Sequence, residues 1–228
     1  MHALDNVIWH ALTTRQAQFA DGHDHARRFQ LGVTSLAGIS QPDDQGYTSL
    51  ANLAGPGGTA ALFLRIPYEV RLGWDLIAAA PLLQMLASNG AAQTTPPTNH
   101  SVIEDLNSTD SAEMIALTTL TKPGPFGPRT HELGNYVGIR SGGKLIAMAG
   151  ERLKVPGFTE ISAVCTHPDH TGKGYAQKLM LEVMKRIRER GETPFLHVRE
   201  DNDRAIKIYE RLGFTTRLTT HLAVLRKS

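Results

Sequence analysis

Residues 164–180 read VCTHPDHTGKGYAQKLM, and the whole fold can be worked out from this stretch. On its left, TEISAVCTH (159–167) is rich in β-branched and small residues and is stopped by Pro168, as a strand would be. On its right, Ala176, Leu179, Met180, Val183, Met184 and Ile187 recur at helical spacing, and Gly191 closes the run, so an amphipathic helix is expected over 174–190. Between them lie Thr171, Gly172, Lys173, Gly174, Tyr175 and Ala176. Glycines at a strand-to-helix turn expose consecutive backbone N–H groups beside the positive end of the helix. Such a nest can hold a pyrophosphate, with Lys173 adding a point charge. The plainer alternative is a glycine-rich turn that holds nothing.

Working outward, YVGIR (136–140) and KLIAMAGERL (144–153) read as a hairpin turning at Ser141, Gly142 and Gly143. Residues 101–106 are strand-like, Thr109 or Asp110 caps a helix reaching about Thr121, and KPGPFGPRT (122–130) is a proline-stiffened loop. PFLHVRE (194–200) is a short, largely buried strand. A helix then starts at Asp201 or Asn202, with Ala205, Ile208, Tyr209 and Leu212 on its inner face and Gly213 as its stop. TTRLTTHLAVLRK (215–227) alternates as a half-buried strand does. The order β, α, three β, α, β, α, β implies an α/β (α+β) fold, a mixed central sheet with flanking helices. In the first hundred residues HALTTRQAQFA (10–20) and GWDLIAAAPLLQMLA (73–87) look helical, and AALFLRIPYEV (60–70) looks like one or two strands. LAGPGGTA (53–60) lacks the Lys-Ser/Thr ending of a phosphate loop and reads as a turn. SNGAAQTTPPTNHS (88–101) reads as a linker.

The chain has 228 residues, 41% of them hydrophobic and 20% charged, which excludes a disordered or collagen-like protein. One cysteine, Cys165, cannot form an internal disulfide, so a reducing, cytoplasmic setting is expected. No run of apolar residues suits a signal peptide or a membrane span. The net charge of +2 is uneven: residues 1–100 carry five arginines, no lysine and seven acids, while 101–228 carry nineteen bases and fifteen acids. The basic half lacks the arginine-lysine stripe of a nucleic-acid binder and suits a small anionic ligand better.

A second motif follows the nest by about thirty residues: Asn202, Ala205, Tyr209, Gly213 and Phe214 stand in the pattern Asn-x-x-Ala-x-x-x-Tyr-x-x-x-Gly-Phe. Together the two motifs resemble the GNAT superfamily of acyl-CoA-dependent N-acetyltransferases. The family's Gln/Arg-x-x-Gly-x-Gly/Ala phosphate motif falls on 171–176, with Thr171 in place of the opening Gln or Arg. The resemblance covers about 101–225. It implies a catalytic GNAT domain at 101–228, a linker at 91–100 and, by analogy with tandem members, a degenerate GNAT-like domain at 1–90.

The resemblance also implies a reaction: acetyl moves from acetyl-CoA directly to a primary amine, of a small molecule or of an amino acid or peptide, in a ternary complex. No metal, nucleic acid or membrane takes part. In the family a backbone N–H of the strand before the nest serves the oxyanion, which places that donor at Val164, Cys165 or Thr166. Asn202 and Ala205 belong to the helix that helps hold the cosubstrate. Tyr209 matches the proton donor to the leaving thiolate, although its inward position also suits a core tyrosine. A lysine-like amine costs about 4.6 kcal/mol to deprotonate at pH 7, so a base matters. Glu160 and His167 are candidates, and Glu160 reads equally as a surface carboxylate at the strand's end. Cys165, on a strand expected to be buried, reads as packing and not as a nucleophile. The His23-Asp24-His25 and His167-Pro168-Asp169-His170 groups lack the spacing of a zinc site. Residues 122–130 and the region of Trp74 are expected walls of the acceptor pocket. A different class of function, a non-catalytic acyl-CoA-sensing module, is compatible with the same motifs. A dinucleotide-binding dehydrogenase is not, because the third glycine and the second βαβ half are missing.

Overall fold

A computed structural model describes residues 2–88 and 101–228. The expected linker at 91–100 lies outside the described residues. In chain order the elements are α1 (Val7–Thr13), β1 (Ala20–Asp21), β2 (Ala26–Phe29), β3 (Ala37–Ile39), α2 (Asp44–Ala54), β4 (Thr59–Leu64) and β5 (Trp74–Ala87). After them come β6 (Glu104–Leu106), α3 (Ser111–Thr121), β7 (Tyr136–Ser141), β8 (Lys144–Val155), β9 (Phe158–Thr166), α4 (Tyr175–Glu189), β10 (Thr193–Arg199), α5 (Asp203–Arg211) and β11 (Phe214–Lys227). From residue 101 onward the expected elements all form, the first strand being shorter at Glu104–Leu106.

Strands β1, β2 and β3 make a small sheet, and the remaining eight make a large mixed one in the order β4-β11-β5-β10-β9-β8-β7-β6. Strands β4 and β5, from the first ninety residues, therefore flank β11, from the last fifteen. Every pairing in the large sheet is antiparallel except that of β9 with β10. Those two pair only at Phe158–Thr193, Thr159–Pro194 and Glu160–Phe195, and beyond Glu160 they part.

Alternation along the strands assigns the layers. On β8, Ala147 and Ala149 join the α4 residues Leu179, Val183 and Ile187 in one core, whereas Met148 joins Met114 and Leu117 of α3 in another. Leu153 and Val155, with Phe195 of β10, pack against Leu4, Ile8 and Leu12 around α1. Helices α1 and α3 thus cover one face of the sheet, and α4 and α5 the other. Among the described residues no helix is long and apolar enough to cross a membrane.

One expectation fails clearly. GWDLIAAAPLLQMLA forms strand β5, not a helix. Its Ala, Leu, Met and Gln are strong helix formers, but Leu82–Leu86 pair with β10 on one side while the whole strand pairs with β11 on the other. Ladders on both sides outweigh local propensity. Pro81 was the contrary signal: inside a helix it costs about 3 kcal/mol, whereas here it sits where the β10 pairing has stopped and no donor is needed on that side. The helix expected over 10–20 is also shorter, since α1 ends at Thr13 and a single 3-10 turn, Ala17–Phe19, follows.

Candidate active site

The parting of β9 and β10 opens a cavity of about 480 Å³ that passes through the sheet. Its α5-side wall includes Leu196, Val198, Asn202, Ala205 and Tyr209, and its α1-side wall includes Leu36, Ala61, Phe63, Leu222 and Val224. Residues 161–166 of β9 run along it, and Lys122, Pro123, Gly124 and Pro125 close one rim, as expected of that loop. Trp74 does not line this cavity. It borders a different one beside Asp44, Tyr47 and Arg71.

Strand β9 is bulged where it meets the cavity. Met148 pairs with Cys165 and Gly150 with Ser162, so Ala163 and Val164 together face the single residue Ala149. Ala163 takes a φ of +54°, unusual for a residue with a Cβ. A bulge leaves one residue out of the ladder and swaps the faces of everything after it. The swap is visible in the packing: Ile161 lies in the α4-side core, while Ala163 and Cys165 lie in the α3-side core. Val164, Cys165 and Thr166 are all on the cavity wall, just past the bulge.

Beyond β9, Gly172 and Gly174 hold φ of +79° and +75°. A Cβ on Gly172 would meet nothing within 4 Å, so backbone sign and not crowding calls for glycine there. Gly174 precedes the fifteen-residue helix α4 and has no side chain to cap its first N–H groups. Thr171, Gly172 and Lys173 are exposed, and Gly174, Tyr175 and Ala176 half-buried. This loop lies outside the cavity lining, one short turn from the end of β9. Backbone N–H groups at a glycine-turned helix N-terminus fit the pyrophosphate of an acyl-CoA.

On the α5 side, Asn202 Oδ1 accepts from the Ala205 N–H at 3.2 Å and so starts the helix that carries Tyr209. The Tyr209 ring packs on Phe214 with centroids 6.2 Å apart, and its hydroxyl has no hydrogen-bond partner among the described residues. Burial pushes its pKa up to about 12, so it stays a donor through the physiological range. Cys165 is buried, and burial pushes its thiol up to about 11, against hydrogen bonds from Thr121 and the Met148 backbone that pull the other way. A neutral, buried thiol matches the packing role.

Glu160 is not at the surface. It is fully buried in the throat where β9 and β10 separate. Arg152 Nε and Nη2 donate to it at 2.8 and 2.7 Å, the Leu153 N–H at 3.3 Å, and His197 Nδ1 lies 2.7 Å from its Oε1. Burial pushes its carboxyl upward, but the Arg152 charge and the hydrogen bonds from Arg152 and His197 overcome this and hold it at about 2. A carboxylate so fully engaged has little tendency to take a proton. His167 is also outside the cavity lining, its Nδ1 accepting from the Asp169 N–H at 3.3 Å.

His197 itself borders the cavity. Its tautomer follows from its neighbours. Gln84 Oε1 accepts from Arg217 and Gln84 Nε2 donates to the Leu4 carbonyl, so the amide presents an N–H to His197 Nε2 at 3.2 Å. Nε2 therefore carries the lone pair and Nδ1 carries the proton given to Glu160. Among the described residues no group of three His, Cys, Asp or Glu gathers as a metal site would require.

Residues 136–223 match the family model of FR47-like proteins. The crystal structure of a GNAT-family protein from Novosphingobium aromaticivorans superposes with a TM-score of 0.90 at 35% identity, covering all of both chains. The chain belongs to the GNAT family. A further GNAT structure, the GCN5-related N-acetyltransferase from Kribbella flavida, shares the fold at a TM-score of 0.67 and 18% identity over 99% of this chain and 96% of its own. Among curated proteins, N-alpha-acetyltransferase RimI of Mycobacterium tuberculosis is 39% identical over 83 residues, 35% of this chain and 51% of that protein. Mycothiol acetyltransferase of Corynebacterium aurimucosum is 39% identical over 61 residues, 26% of this chain and 20% of that protein. The chain thus spans about half, or less, of the curated relatives it matches.

In this GNAT protein the cavity gathers Val164, Cys165, Thr166, Asn202, Ala205 and Tyr209, with the nest beside it and Glu160 behind it. Sequence reasoning missed Arg152, His197, Phe63 and the bulge. A histidine inside PFLHVRE, a strand read as buried, was the available signal, because a buried imidazole needs partners for both nitrogens. The bulge at Ala163 has no residue signature.

Proposed function

We propose that this GNAT protein transfers the acetyl group of acetyl-CoA to a primary amine within a ternary complex. The observation that carries this reading is convergence. One through-sheet cavity joins the bulged segment of β9, a tyrosine hydroxyl without a hydrogen-bond partner among the described residues and a histidine whose Nε2 lone pair meets the Gln84 amide, and a glycine-turned helix N-terminus lies next to it.

When bound, acetyl-CoA supplies an activated acyl group: the amine nitrogen bonds to its carbonyl carbon, and the C–S bond breaks with the electron pair passing to sulfur. The residues do the rest. The nest of Thr171, Gly172, Lys173, Gly174, Tyr175 and Ala176 binds pyrophosphate. The bulged segment Val164, Cys165 and Thr166 gives an N–H to the developing oxyanion. Tyr209 donates toward the departing thiolate. With its pKa near 12 against about 8.5 for a thiol, complete transfer of its proton even to the released thiolate is uphill by roughly 5 kcal/mol. Tyr209 therefore acts first as a hydrogen-bond donor. His197 Nε2 accepts the amine proton when the amine takes the place of the Gln84 N–H on its lone pair, and Glu160 is its positioning residue, fixing the ring and tautomer and balancing the imidazolium that forms.

Thiol release from acetyl-CoA with a panel of primary amines tests the reading. Amine-dependent release supports it. Acetyl-CoA raising the melting temperature with no amine releasing thiol would favour the sensing module instead.

A further inference from the structure

We infer that the α1-side end of the cavity accepts a primary amine carried on an apolar, ring-sized group and bearing no second positive charge, an inference that rests on the acetyl-transfer reading of the same cavity.

Two observations carry it. The first is the wall itself: Leu36, Ala61, Phe63, Leu222 and Val224 face the cavity from the apolar cluster on that side of the sheet. Phe63 is half-buried and stands with its ring centroid 4.7 Å from that of His197, so an apolar group seated on Phe63 is held beside the proton acceptor. Burial of such a group is favourable in proportion to its area.

The second observation is the charge of the lining. Among the described residues that border the cavity there is no aspartate or glutamate, whereas Lys122, Arg152 and Arg199 all border it. Residues 89–100 contain no carboxylate in their sequence either. The acids behind the lining are already engaged: Glu160 is enclosed and bonded to Arg152, the Leu153 N–H and His197, and Asp201 is paired with Arg199 at 2.9 and 2.7 Å. An ammonium brought into this space would be desolvated beside Lys122 with no unpaired carboxylate among the described lining residues to receive it. Polyamines and other polycationic acceptors are therefore rejected, and the reacting amine is held in its neutral form, the form that attacks.

The test titrates the full chain, saturated with CoA, with 2-phenylethylamine and with spermidine by calorimetry, and runs thiol release from acetyl-CoA in parallel. 2-Phenylethylamine is expected to bind about 100-fold more tightly than spermidine. Phe63→Ala should weaken 2-phenylethylamine about tenfold with acetyl-CoA affinity unchanged. Ser35→Asp, which adds a carboxylate at the exposed rim, should narrow the gap by improving spermidine. Spermidine binding as tightly as 2-phenylethylamine, or Phe63→Ala without effect on 2-phenylethylamine, would overturn the inference. The expected binding order without thiol release from either amine would contradict acetyl transfer and leave the binding preference standing.

Discussion

The nest before α4 and the throat between β9 and β10, two parts of the proposed site, are built on opposite principles. The nest is made of main chain, exposed at Thr171, Gly172 and Lys173 and half-buried beyond, and local: six consecutive residues with two positive φ angles form it. The throat is buried, made of side chains, and long-range. Its Arg152, Glu160, His197 and Gln84 come from β8, β9, β10 and β5 and are tied on to Arg217 and the Leu4 carbonyl. A ligand site made of backbone is expected to tolerate substitution of its side chains, such as Thr171 in place of Gln or Arg. A site made of interlocking buried charges does not, because removing one partner strands another.

That contrast can be broken at its strongest point first. Arg152→Leu leaves Glu160 as a buried, uncompensated carboxylate and should lower stability by about 3–5 kcal/mol in denaturant unfolding. Arg152→Leu combined with Glu160→Leu should recover much of that loss. The same carboxylate gives a signed pH dependence. Folding holds Glu160 at about 2, below its ordinary range, so its contribution is complete above that range, declines as pH falls through it and is gone below about 2. Wild type should therefore lose stability between about pH 4.3 and pH 2, measured by thermal unfolding, and Glu160→Gln should lose less over that interval.

Next in size, Tyr209→Phe should lower kcat about 100-fold while leaving the Kd of acetyl-CoA within about twofold, because only the departing thiolate needs the hydroxyl. Smallest is the nest. Gly174→Ala forces a Cβ into a φ of +75°, a strain of about 1–2 kcal/mol, and should raise the Kd of acetyl-CoA about tenfold with kcat at saturation unchanged. Equal and opposite results, with a nest substitution abolishing turnover and an Arg152 substitution merely weakening binding, would invert the comparison.

The same contrast explains what could be read from sequence. From residue 101 onward each element announces itself: Gly191 and Gly213 stop their helices, Asn202 caps the next one, and the spacing of Leu179, Val183 and Ile187 marks the buried face of α4. The nest and Tyr209 are legible for the same reason, since their partners lie within a few residues. β5 was misread because its ladders lie far off in the chain, with β10 and β11, and its own residues favour a helix. Glu160 reads from sequence as a candidate base or a surface carboxylate, and its buried place is not legible, because Arg152 faces it across a hairpin and His197 lies on the neighbouring strand of a parallel pairing that only the folded sheet creates. The acceptor wall was invisible in the motif-bearing half alone, since Leu36, Ala61 and Phe63 come from the first hundred residues.

The most direct test of the central claim is steady-state release of CoA thiol from acetyl-CoA by the full chain, with and without 2-phenylethylamine at saturation. Acetyl transfer predicts release that depends on the amine, yields one acetamide per thiol and falls about 100-fold in Tyr209→Phe. Release that is the same with and without amine, or unchanged in Tyr209→Phe with both substrates saturating, would contradict it.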